Sequence, residues 1–245
     1  MAKIVTLSVV WINVMIGLPM LYMLIQTGGH LSWSWEILAA WKLSLLCSMV
    51  TMMVNGAMGL LAAWGFTHGN WPAKNIWLSM FNLPLSISPV IVALMLHSIY
   101  GIHSPIGKWL WRQHVLIPFH FLAIVMASLF VTLPFVVKEI VPILEQVDET
   151  QKEAARILGA TEAHVFWKIS FPYIKKAMIH ALISTHCRAM GEFGAVALLS
   201  GNISNQTQTL TLLIEQSYKE YETSLAWSVA LLLSIWCLCL NKIST

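Results

Sequence analysis

KEIVPILEQVDETQKEAARILGATEAHVFWKISFPYIKK, residues 138–176, is the one long polar passage in a chain of 245 residues. It holds six of the fourteen Lys and Arg and six of the eleven Asp and Glu, in a chain that is 58% apolar and only 10% charged. An ordinary soluble domain carries roughly 25% charged residues. The remainder of the chain is therefore suited to lipid, and this passage must project from it into water. Asp148 is placed to cap a helix, with Gln151 three residues later as its reciprocal partner. The spacing predicts a helix over Glu149–Leu158, ended by Gly159 in the left-handed conformation. A second short helix, Glu162–Ser170, is capped by Thr161 and stopped by Pro172. Glu153, Ala154 and Ala155 give the first helix a small-sided face on which another surface can close. A solvated connection between two spans would have the same composition.

Outward from this passage the charges thin into long gaps. A spanning helix needs about 20 apolar residues. The gaps predict six spans, at about 4–25, 43–66, 76–100, 115–137, 177–199 and 223–240. The fifth is interrupted by Arg188 and Glu192. The first has no small-residue cleavage site before a polar region and reads as a retained span rather than a signal peptide. With 138–176 in the cytoplasm, Lys3, Lys74 and Lys242 fall on the same side. Lys42, Lys108, Arg112 and Lys219 fall on the other, a nine-to-four bias with Arg188 left out. That excess predicts both termini inside, with Lys108 and Arg112 against the rule. No repeat or Gly/Ser linker divides the chain, so 1–245 is read as a single all-α transmembrane domain.

The motifs exclude several chemistries. No G-x-x-x-x-G-K-[ST] phosphate-binding loop occurs, and Gly107-Lys108 lacks its flanking residues. The chain is not expected to hold a nucleotide by that route, and is expected to carry no cofactor and no catalytic residue of its own. Cys47, Cys187, Cys237 and Cys239 lie in apolar runs without C-x-x-C spacing, and are expected to behave as small core residues. His97, His120 and His186 read as packed or partnered residues rather than metal ligands. The basic residues are dispersed, which argues against nucleic acid.

Inside the fifth span, His180, Ser184, Arg188 and Glu192 recur every four residues, which places them roughly along one helix face. Arg188 and Glu192 are spaced to pair. Ionisable residues within a membrane cost about 2.5–3.5 kcal/mol on insertion scales and face protein or water. Two readings stand side by side: a structural ion pair, or a translocation path in which Arg188 attracts an anion. In the third span, Pro84 and Pro89 free backbone carbonyls, and Ser86 and Ser88 add donors there. Such backbone is tolerated in a membrane only against protein or a cavity. Kinked packing or a path would both account for it. Gly191 and Gly194 should weaken the fifth helix in the same way.

Glu153-Ala154-Ala155, three residues, Gly159, nine residues, then Ile169 and Pro172 is similar to the signature loop of permease subunits of binding-protein-dependent ABC importers. Phe171 stands where that pattern has Leu. Arg188–Val196 (RAMGEFGAV) with Ser200-Gly201, Leu83–Val90 (LPLSISPV), and Thr132–Val136 (TLPFV) leading to Glu139 and Pro142 resemble the sulfate and molybdate permeases more narrowly. Leu210–Tyr221 resembles the last external loop of the W-type sulfate subunit. The resemblance covers about residues 40–240. The first external loop, Gln26–Trp41, and the tail after Leu240 are short by comparison.

This resemblance implies a type I ABC importer permease fold with a cytoplasmic coupling helix, in a bacterial inner membrane. Glu153, Ala154, Ala155, Gly159, Ile169 and Pro172 would couple to an ATPase subunit dimer. A second permease, a T-type heterodimer partner or a second copy, would complete the path, and a periplasmic binding protein would deliver the anion. The implied cargo is sulfate or thiosulfate, with molybdate or tungstate as the alternative. A secondary transporter would need membrane carboxylates, and only Glu192 lies within a span. A membrane enzyme would need a nucleophile–base pair or H-E-x-x-H arrangement, and the polar passage has none.

Overall fold

A computed structural model describes residues 2–27, 34–69 and 72–244. Part of the predicted Gln26–Trp41 loop, the side chain of Lys3 and the last residue, Thr245, lie outside the described residues. The described residues form helices and turns. Four helices are long and apolar enough to cross a membrane: α1 (Ala2–Gln26), α2 (Trp35–His68), α6 (Phe121–Leu144) and α12 (Thr223–Ser244). They match the first, second, fourth and sixth predicted spans. The fifth predicted span corresponds mainly to α9 (Phe171–Met190), whose length suffices but whose Lys175, Lys176 and Arg188 interrupt its apolar character.

The third predicted span, 76–100, is not one straight helix. It divides into α3 (Lys74–Ser86) and α4 (Pro89–Tyr100), which turn by 106° at Ile87-Ser88. Pro89 explains the break: it has no N–H to continue the ladder and it biases Ser88 away from helical geometry. Ser88 is extended, with ψ 135°, and Pro89 opens α4. Pro84 sits within α3 without ending it. A short helix, α5 (Pro105–Arg112), follows.

The fourth span also shifts. Residues 115–120 form a turn rather than helix, with Phe119 at φ 62° and its N–H donating to the Leu199 carbonyl at 2.8 Å. Helix α6 then continues through Lys138 and Glu139 to Leu144. The polar passage thus begins at Glu145, seven residues later than the charges suggest, because a helix carries polar side chains as readily as apolar ones once it leaves lipid.

The sides of the bundle follow from contacts. Lys74 at the start of α3 pairs with Glu145 just past α6, Nζ to Oε1 2.7 Å. The Trp64 ring near the end of α2 meets Phe166 at 4.6 Å between centroids. The end of α2 and the starts of α3 and α9 therefore share the side of the polar passage. At the opposite side, Leu210 N–H donates to Ser44 Oγ near the start of α2 at 2.9 Å. Because α3 starts on one side and α6 on the other, α3–α5 together make one crossing. Tyr22 near the end of α1 meets Trp227 near the start of α12, and His186 and Trp236 join α9 to α12. Helix α1 therefore begins, and α12 ends, on the polar-passage side. By length and composition α1, α2, α6 and α12 qualify as spans and the bent α3–α4 pair as a fifth, with α9 as the remaining candidate crossing.

Helices α2, α6 and α9 form the centre. Cβ atoms built at Gly56 and Gly59 of α2 would lie 2.6 Å from Leu182 of α9 and 2.6 Å from Val136 of α6, so glycine lets both neighbours approach closely. Small residues serve this purpose wherever lipid supplies no hydrophobic drive between helices. Asn55, buried, donates to the Leu129 carbonyl at 3.0 Å and to Thr132 Oγ1 at 2.8 Å, which ties α2 to α6 by polar bonds as well. Helix α1 packs on α12 but keeps Leu7, Trp11, Ile16 and Leu18 exposed, as a lipid-facing helix does. Cys47 is buried as expected, whereas Cys239 is exposed and Cys187 and Cys237 are half-buried between α9 and α12.

Candidate functional site

The polar passage folds into a helical hairpin. Helix α7 (Glu149–Ile157) is capped by Asp148, whose Oδ1 accepts from Thr150 N–H at 3.0 Å. The reciprocal bond from Gln151 is not made. Gln151 Oε1 instead accepts from Tyr173 OH at 3.3 Å, which joins α7 to the start of α9. At the other end Gly159 has φ +86°, its N–H bonds to Arg156 O, and Ala160 N–H reaches back to Ala155 O at 2.9 Å. This is the Schellman arrangement that glycine permits. A Cβ at Gly159 would meet nothing within 4 Å, so glycine is needed there for its backbone freedom alone. Gly159→Ala is expected to destabilise the hairpin by about 1–2 kcal/mol. Amide exchange at Gly159 and Ala160 should then accelerate roughly 5–30-fold in hydrogen-exchange mass spectrometry. Unchanged protection would show that the left-handed turn is not what holds α7.

The return strand of the hairpin differs from expectation. Thr161 caps α8 (Glu162–Val165), accepting from His164 N–H at 3.3 Å, but Pro172 stops nothing. A π-helical turn, Phe166–Ser170, leads directly into α9, with Phe171 N–H bonding to Phe166 O. The wider turn accommodates a proline whose ring would otherwise crowd the carbonyl four residues back. Ile169 and Pro172 therefore belong to a continuous rod from α8 into α9. The rings of Trp64, Phe166, Trp167 and Phe171 pack around its bend.

An ionic frame sets the hairpin angle. Arg156 Nε contacts Glu162 Oε1 at 2.7 Å and its Nη1 contacts Glu149 Oε1 at 3.1 Å, while Lys152 Nζ meets Glu149 Oε2 at 2.9 Å. Glu162, then Glu149, raise the Arg156 pKa. Lys152 chiefly lowers that of Glu149, and Thr150 that of Asp148. With Lys152 and Arg156 committed to those pairs, the rest of α7 and its C-terminal end present exposed Glu153 and Ala154, partly exposed Ala155, and the aliphatic side chains of Ile157 and Leu158 at 85% and 87% exposure. Ile157, Leu158 and Arg156 were not singled out in the sequence. The signal for the first two was an apolar pair ending a polar helix.

The second candidate region lies along α9. His180 is exposed and its Nδ1 is 3.7 Å from Glu139 Oε1 on α6. Ser184 and Arg188 are partly exposed on the same side. The expected four-residue stripe ends there, because Glu192 is no longer on the helix. Helix α9 stops at Met190, and a separate helix, α10 (Gly194–Ser200), packs against α4 and α6, so the predicted span 177–199 is two elements. Glu192 sits in the break at 1% exposure. It pairs with Arg188 Nη1 at 2.7 Å, accepts Ala195 N–H through Oε1 at 3.1 Å, and its carbonyl accepts Thr211 Oγ1 at 2.8 Å. Helix α11 (Leu210–Lys219) carries that Thr211. Ser86 and Ser88 are exposed at the α3–α4 bend. The break touches that bend through Gly194, whose built Cβ would lie 3.1 Å from Pro89.

A bundle of long apolar helices with a capped hairpin held outside it defines a polytopic membrane protein. Residues 55–244 match the family described as binding-protein-dependent transport system inner membrane component, and the chain belongs to that family. It is 44% identical to the chloroplastic sulfate permease 2 of Chlamydomonas reinhardtii over 81% of this chain, although it spans only 54% of that protein. It is 39% identical to the sulfate transport system permease protein CysW of Synechocystis, covering 80% of this chain and 71% of that one. The sulfate transport system permease protein CysT of Escherichia coli is 30% identical over 91% of this chain and 83% of its own length. Among solved structures, a bacterial ABC transporter involved in the import of alginate has the same fold, with a TM-score of 0.77, 15% identity and coverage of 99% and 92%.

Proposed function

We propose that this chain is the permease subunit of an ABC importer that carries sulfate or thiosulfate inward. The observation that carries the reading is the α7–α8 hairpin. It leaves Glu153, Ala154, Ile157 and Leu158 exposed and Ala155 partly so, on a helix whose Glu149, Lys152 and Arg156 are held in ion pairs. A protein partner can dock there without refolding it. In this reading the partner is a pair of ATPase subunits that bind ATP and Mg, and the chain hydrolyses nothing itself. Movement of the hairpin passes through the π turn into α9, because the rod from Glu162 to Met190 has no loop in it. Both termini are cytoplasmic, in a bacterial inner membrane. A related T-type permease completes the path, and a periplasmic protein delivers the anion.

The similarity to proteins named as sulfate permeases favours that cargo over molybdate or tungstate. Labelled sulfate uptake by cells with and without the gene tests it, with thiosulfate and molybdate as competitors. Loss of uptake on deletion, with thiosulfate competing in the parent, is expected. Unchanged sulfate uptake in a strain without a second sulfate system would shift the cargo to the heavier oxyanions and leave the importer assignment in place.

A further inference from the structure

The exposed sides of this bundle are of two kinds. Helix α1 shows lipid-compatible side chains along its length, but α9 shows Lys176, His180, Ser184 and Arg188 in succession toward the side opposite the hairpin. Charged residues at membrane depth do not face hydrocarbon stably, so this face of α9 meets water or protein. Its ionisable groups are mainly basic. The facing acid is Glu139 of α6, near His180 and two helical turns from Arg188.

Arg188 itself is asymmetrically engaged. Its partner Glu192 is fully buried, with Oε1 accepting from Ala195 N–H and Oε2 engaged by Arg188 alone, while the Arg188 side chain is 36% exposed. One nitrogen, Nη1, contacts the carboxylate. Nε and Nη2 have no partner among the described residues. A guanidinium presents five donors in a rigid planar fork suited to oxyanions.

Resting on the importer reading above, we propose that Arg188 binds the tetrahedral oxyanion in the translocation path through its free Nε and Nη2 donors. Glu192 is its positioning residue. It fixes Nη1, and it holds α9, α10 and α11 together at the break. The first turn of α4 is brought to the same break by the Gly194–Pro89 contact, so a shift of the α3–α4 bend changes access to Arg188. Arg188 and Glu192 cancel in the empty state, and the anion adds negative charge against the basic face of α9.

The test uses the complete transporter, with its ATPase, second permease and binding protein, reconstituted in proteoliposomes and supplied with labelled sulfate. Arg188→Gln, Arg188→Lys, Glu192→Gln and the Arg188→Gln/Glu192→Gln double variant are compared for uptake and for ATP hydrolysis stimulated by the loaded binding protein. Arg188→Gln is expected to lower uptake at least about tenfold while stimulated hydrolysis persists. The double variant should be no better, and Arg188→Lys should retain uptake with a raised KM. Recovery of uptake in the double variant, or full uptake by Arg188→Gln, would make the pair purely structural and overturn the proposal. If Arg188→Gln does not assemble with its partners, Arg188→Lys decides: wild-type KM overturns the proposal and a raised KM supports it. A parent complex that carries molybdate in place of sulfate corrects only the cargo, and the same comparison is made with molybdate. A parent that carries neither anion overturns the importer reading and this proposal together.

Discussion

Glu153→Lys is expected to abolish solute uptake while the protein remains in the membrane at its normal level. Glu153 is exposed on the outward face of α7, has no partner among the described residues, and contributes nothing to the Arg156–Glu149–Glu162 frame. Glu and Lys have similar helix propensities, so the hairpin itself should survive. The reversed charge acts only on whatever surface closes over α7. Placing a like charge at a docked interface, or leaving its partner unpaired, costs about 2–5 kcal/mol, on the order of 100-fold or more in association. Co-purification of the ATPase subunits and uptake should fall together. Normal uptake with normal ATPase association would show that this face of α7 is not the docking surface. Leu158→Asp gives an independent reading from the C-terminal end of the same helix, since Leu158 is 87% exposed.

Gly59→Val should destabilise the packing of the bundle. A Cβ at position 59 would lie 2.6 Å from Val136 Cβ and 2.7 Å from its Cγ1. Val136 is fully buried at the centre of α6, and both side chains would be β-branched and stiff about χ1. Neither can turn aside, so the helices must separate. Overpacking of this kind costs about 1–3 kcal/mol, and the parting of α2 from α6 also strains the Asn55–Thr132 bond one turn away. The expected result is a lower temperature of thermal aggregation in detergent and reduced accumulation in the membrane. Gly65→Ala in the same helix is the control, because a Cβ there meets nothing within 4 Å. It should be neutral or slightly stabilising, since alanine exceeds glycine in helix propensity by about 1 kcal/mol. Equal behaviour of the two variants would refute close approach as the reason for Gly59.

The two regions differ in how locally their structure is encoded. The hairpin was legible because its signals are local. Asp148 caps the turn that follows it, Gly159 supplies a positive φ that other residues avoid, and Thr161 caps the next helix. Each acts within four residues of itself. Gln151 was misassigned because Tyr173, twenty-two residues away, competes for it. Arg156 was missed for a similar reason: its partner Glu162 lies across the turn, on another helix. Pro172 was read as a stop because proline ends a regular α-helix. The chain instead widens into a π turn that the surrounding aromatic rings support.

The path region was legible only in its composition. An Arg and a Glu four residues apart in an apolar run announce a pair. Which of them is buried depends on where the helix ends and on what covers it.

By itself the sequence determined that the chain is a helical membrane protein, where most of its spans lie, which passage stands in water, and how that passage turns. These follow from solvent preference and short-range backbone geometry, which any sufficiently long stretch carries within itself. Only the tertiary structure decided that α3 and α4 bend by 106°, that α9 breaks at Glu192, and that α10 folds against α4. It also decided that Asn55 bonds across to α6 and that Arg188 stays partly open while Glu192 is sealed. In each of these the deciding partner is distant in sequence. Its free energy is realised only once the helices have packed, so no local pattern reports it.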